Sequence, residues 1–97
     1  MHLIQLLLPL KAGSEEKLAQ TREELVDKFE GITAYSRSPA KGAWIAPGGE
    51  EKHDDVIMVE VLVDPLDREW WRQYGETLAS RFGEETIHIR FIPAEVP

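Results

Sequence analysis

A chain of 97 residues with a formal charge of −7, from 18 acidic against 11 basic side chains, has room for one core of two packed layers and repels nucleic acid and anionic membranes. It contains no cysteine. Disulfides, thiolate nucleophiles and Cys-ligated zinc or iron–sulfur centres are therefore excluded.

Residues His2 to Leu8 form a short apolar run that stops at Pro9, a residue with no N–H to give to a sheet ladder, and Lys11-Ala12-Gly13-Ser14 then turns the chain. This is the first predicted strand. It lacks a basic region before it and is far too short to span a bilayer, so a soluble, cytoplasmic protein with no membrane partner is expected. From Ser14, the pair Glu15-Glu16 suits a helix N-terminus, and Leu18, Arg22, Leu25, Val26 and Phe29 recur at helical spacing up to Gly31. Ile32 to Arg37 is β-favourable and predicts the second strand. Pro39, Gly42, Pro47, Gly48 and Gly49 follow, and residues 39–55 are expected to form a long connection in which Trp44-Ile45 is anchored against apolar surface.

The third strand, Val56 to Val63, is apolar and β-branched except at Glu60. Asp64-Pro65-Leu66-Asp67 then reads as a helix start, with Asp64 as cap and Pro65 in the first helical position. The helix runs to Phe82-Gly83 and turns Trp71, Tyr74, Leu78 and Phe82 inward. Thr86 to Ile92 alternates cleanly and is the fourth strand.

The order strand-helix-strand-strand-helix-strand predicts an α+β fold of the ferredoxin-like βαββαβ kind, with a four-stranded antiparallel sheet in the order 4-1-3-2 and both helices on one face. In this element order the chain resembles the small dimeric α+β-barrel proteins, and the resemblance implies a homodimer whose sheets pack through their open faces. It implies no particular activity.

Period-two alternation divides the strands into two sets. One holds Ile4, Leu6 and Leu8, then Ile32 and Ala34, then Ile57 to Val63 in alternation, then Ile87, Ile89 and Phe91, and is apolar throughout. The other mixes Leu3, Gln5 and Leu7 with Thr33, Tyr35 and Arg37, with Val56, Met58, Glu60 and Leu62, and with Thr86, His88 and Arg90. Its apolar members, Leu3, Leu7, Val56, Met58 and Leu62, form a patch of the kind that marks an interface, and a second copy of the chain is the expected cover. Its polar members, Gln5, Tyr35, Arg37, Glu60, His88 and Arg90, are the candidate contacts for a small-molecule ligand.

Glu60 or His88 could transfer protons for an enzyme, although a carboxylate satisfied at an interface and a half-exposed edge histidine are the plainer readings. Whether the protein is an enzyme is left open, and docking of a different protein is a third use of the same face. The polar run Glu50 to Asp55 matches no metal-ligand spacing and reads as a solvated loop, so neither metal nor cofactor is implied. Trp70 lies near the boundary of the core, over its own helix or at a second contact surface. The open-face positions of the two central strands are aliphatic or polar and lack the aromatics on which RNA-recognition domains stack bases. Pro9 to Glu16 lacks the Gly-rich loop and arginine of acylphosphatases.

Overall fold

The structure is a computed structural model that describes residues 1–29, 33–45, 51–95 and 97, with 33–45 and 51–55 described through their backbone alone. The elements are β1 (His2–Pro9), α1 (Glu15–Lys28), β2 (Thr33–Ile45), β3 (Glu51–Val63), α2 (Arg68–Phe82) and β4 (His88–Pro93).

The sheet is four-stranded and antiparallel in the order β2-β3-β1-β4, and the prediction requires correction at β2, which is longer than expected and irregularly paired. In the body of the sheet, which carries the core, β1 lies between β3 and β4 and is antiparallel to both. β2 pairs with β3 alone, extending the order to β2-β3-β1-β4, and it does so as one arm of a hairpin. Its ladder is broken between Tyr35 and Pro39. β1 ends its pairing at Pro9 opposite Val56, whereas β2 and β3 continue from Lys41 opposite Asp55 to Ile45 opposite Glu51. The paired arms thus run on beyond the body of the sheet. The molecule is a small α+β protein of four strands and two helices.

The same pairing corrects the long connection expected over residues 39–55. Most of it is strand, because Pro39 and Gly42 lie on β2, whose outer edge has no ladder to break, and an edge strand admits proline. Trp44 and Ile45 lie on that arm opposite Lys52 and Glu51, and their side chains fall outside those described. Gly31, Ile32 and residues 46–50 also lie outside the described residues.

The core forms where one face of the sheet meets both helices. Ile4, Leu6 and Leu8 of β1 and Val59, Val61 and Val63 of β3 are buried with Leu25 of α1 and Trp71, Tyr74, Leu78 and Phe82 of α2. The inward stripe of α2 is the one the spacing predicts. α1 buries Thr21 and Leu25 and half-buries Leu18 and Phe29, while Arg22 and Val26 face solvent. Gly75 lets α2 lie close on β4, since a Cβ there would stand 3.2 Å from Ile89 Cδ1.

The start of α2 also differs from expectation. Asp67, not Asp64, is the N-cap, and its carboxylate accepts from the Trp70 backbone N–H at 3.0 Å. Asp64 and Pro65, joined by a cis peptide bond, belong to the preceding turn. At the other end Gly83 closes the helix in the left-handed conformation, φ 67°, which a residue without a Cβ adopts freely.

Trp70 is half-buried and stays with its own neighbours. Its ring stacks on Tyr74 at 4.8 Å, meets Phe29 edge-on at 5.5 Å, and carries Lys28 Nζ at 4.7 Å from its centroid. Trp71 stacks on Phe29 at 5.3 Å. These aromatics join the C-terminal end of α1 to the first turns of α2.

Candidate functional site: the open face of the sheet

Directly opposed residues in an antiparallel ladder point to the same face, so the registers arrange the uncovered side into rows. The middle row is Arg90 on β4, Gln5 on β1 and Glu60 on β3. Ile92, Leu3 and Leu62 form the row on one side of it; His88, Leu7 and Met58 form the row on the other. Pro9 and Val56 close the series.

Gln5 and Glu60 are joined. The Gln5 side-chain amide donates from Nε2 to Glu60 Oε2 at 3.1 Å. Both residues are half-buried, as are Leu3, Leu7, Val56, Met58 and Leu62 around them. Among the described residues, a carboxylate with one oxygen engaged and an amide with its carbonyl available make a pair of hydrogen-bond acceptors set in apolar surroundings. This arrangement suits a group that brings donors to it.

His88 and Arg90 share the face but stand at its exposed edge, and Arg90 makes no ion pair among the described residues. His88 is two strands and one row away from Glu60, roughly 12 Å between backbones at the usual spacings. These two groups of one chain therefore do not form an acid–base couple. On β2 the register sets Ala34 opposite Glu60 and Tyr35 opposite Val59, a residue of the helix-covered face. The expected parity of this strand is thus shifted by one, and Tyr35 is not in the Gln5–Glu60 row. Arg37 lies within the break of the ladder, and the side chains of both residues fall outside those described.

No family model, curated protein or solved structure matches the chain. The reading of the site rests on its geometry.

Two clefts lie elsewhere. One, of about 420 Å³, opens at the end of β3 between Leu62, Asp64, Pro65, Lys28 and Trp70. The other, of about 370 Å³, runs between α2 and β4 along Trp71, Gly75, Ile87 and Phe91. Neither is lined by Gln5 or Glu60. Among the described residues no group of three or more His, Asp or Glu could hold a metal ion, and no helix is long and apolar enough to cross a membrane. The run Glu50 to Asp55 falls outside the described side chains.

One polar cluster escaped the sequence reading. Arg81 of α2 grips Glu24 of α1 in a two-pronged pair, Nη1 to Oε1 at 2.7 Å and Nη2 to Oε2 at 2.8 Å, and also donates to Thr21 Oγ1 at 2.8 Å. The Tyr74 hydroxyl donates to the same Glu24 Oε1 at 2.9 Å. Arg81 holds the Glu24 carboxyl below the usual carboxylate range, against the opposing effect of partial burial. Burial, reinforced by the Glu24 charge, pushes the Tyr74 phenol up. The only sequence signal was the presence of Thr21 and Glu24 beside Leu25, and of Arg81 beside Phe82, on faces otherwise committed to the core. The cluster binds helix to helix.

Proposed function

We propose that the protein is a small cytoplasmic homodimeric binding domain that holds a small molecule at the open sheet face. Gln5 and Glu60 supply the central polar contacts, His88 and Arg90 those at the β4 edge. Leu3, Leu7, Val56, Met58 and Leu62 supply the apolar surround and the contact between copies.

The observation that carries this reading is the hydrogen bond of 3.1 Å between Gln5 and Glu60, placed among five half-buried aliphatic side chains on the side that no helix covers. An apolar patch of this kind on a small monomer is an interface or a binding surface, and the polar pair within it supplies orientation. The alternative is an enzyme in which Glu60 or His88 transfers a proton on its own, since the two lie too far apart in one chain to act together.

Size-exclusion chromatography with light scattering at micromolar concentration is expected to show a dimer; a monomer would remove the reading. A thermal-shift screen of small metabolites is then expected to find stabilising compounds bearing hydrogen-bond donors, with the shift lost in Glu60→Gln. If every compound that stabilises the wild type stabilises Glu60→Gln equally, Glu60 has no part in recognition.

A further inference from the structure

We infer that the second copy lies with its two-fold axis along β1, so that Glu60 of each copy meets Arg90 of the other and completes the polar centre of the face. This rests on the proposed contact between copies and adds its geometry. The middle row carries a guanidinium on β4, a neutral amide on β1 and a carboxylate on β3. The two charged strands are separated by β1, about 10 Å apart at the usual strand spacing, and no ion pair joins Glu60 to Arg90 within the chain. Among the described residues, each charge therefore reaches the face without its counterpart.

Two sheets meeting face to face through a two-fold can be related in two principal ways. An axis across the strands sets β3 over β3, which brings Glu60 over its own copy and Arg90 over its own copy. Like charges would then be stacked in a partly dry contact, at a cost to association. An axis along β1 exchanges β3 and β4. Glu60 then lies over the partner's Arg90 twice in each dimer, and Gln5 lies over the partner's Gln5.

The flanking rows fit the same operation. Leu62 comes to lie over the partner's Ile92, one of the large apolar side chains left exposed among the described residues, and Met58 over the partner's His88. Aligned sheet packing keeps the strands of the two layers within about 30° of one another, which either axis satisfies, so the charges choose between them. The partner's guanidinium would thus supply a donor to the Glu60 oxygen that Gln5 leaves unengaged.

Two measurements test the axis. Sedimentation equilibrium of Glu60→Gln is expected to show a dimer dissociation constant raised about tenfold, since two cross-pairs are lost; a tighter dimer would show that the carboxylates face one another and would overturn the inference. The chain contains no cysteine, so single-cysteine variants can be cross-linked cleanly. An equimolar mixture of Glu60→Cys and Arg90→Cys treated with a short bismaleimide is expected to give mixed cross-linked dimers in excess of those from either variant alone. Efficient cross-linking of Glu60→Cys to itself, with no gain in the mixture, would overturn the axis while leaving the dimer standing. A monomeric wild type would overturn both the axis and the proposed function.

Discussion

Glu24 is where the two helices converge, and its environment gives the fold a dependence on pH. Arg81 and Tyr74 both donate to it, and its carboxyl is held below the ordinary value of about 4.3. A carboxylate whose pKa is lowered by folding binds protons more readily in the unfolded chain. Its contribution is therefore complete above the unfolded value and disappears as pH falls through the folded one. Glu24 remains 40 % exposed, so solvent screens the pair and the charge-dependent part amounts to about 1 kcal/mol or less. Urea denaturation at pH 7 and pH 3 is expected to show a smaller loss of stability on acidification in Glu24→Gln than in the wild type. An unchanged loss would show that other carboxylates dominate the acid limb. The cluster was not legible in the sequence because its members are 50 to 60 positions apart and follow no local pattern. Gln5 and Glu60 are 55 positions apart, yet strand alternation alone put them on one face; only their register was hidden.

At the scale of elements, the α2 stripe shows what periodicity can deliver. Trp71, Tyr74, Leu78 and Phe82 are all buried, because a helical repeat fixes which residues share a side before any tertiary contact exists. The cap was less legible, since Asp-Pro-Leu-Asp offers two carboxylates and the proline favours the first. The chain uses the second. Asp67→Ala is accordingly expected to cost about 1 kcal/mol and to lower Tm by roughly 4–8 °C, with Asp64→Ala closer to neutral. Thermal melts of the two variants check this, and equal losses would show that the Asp67 carboxylate does not act as a cap. The β2–β3 hairpin failed to announce itself for a related reason. Proline excludes a strand only where the ladder needs its missing N–H, and an edge strand such as β2 relaxes that demand at Pro39.

For the molecule as a whole, β1 is the strand on which everything is built. It pairs with β3 on one side and β4 on the other, sends Ile4, Leu6 and Leu8 fully into the core, and presents Leu3, Gln5 and Leu7 to the open face. Amide hydrogen exchange followed by mass spectrometry is expected to leave β1 among the last segments to exchange, with β4 and the far end of the hairpin, 41–45 and 51–55, exchanging sooner. Uniform exchange across the three strands of the body would contradict this ordering.

The aromatic knot between the helices has an optical consequence. Trp70 and Trp71 stand 4.8 Å apart with their planes at 88°, one half-buried and the other 2 % exposed, and the chain holds only one further tryptophan, Trp44. In a Trp44→Phe background all indole emission therefore arises from a single junction. The fluorescence of this protein then becomes a gauge of whether its two helices are docked, independent of what the sheet is doing on its other side.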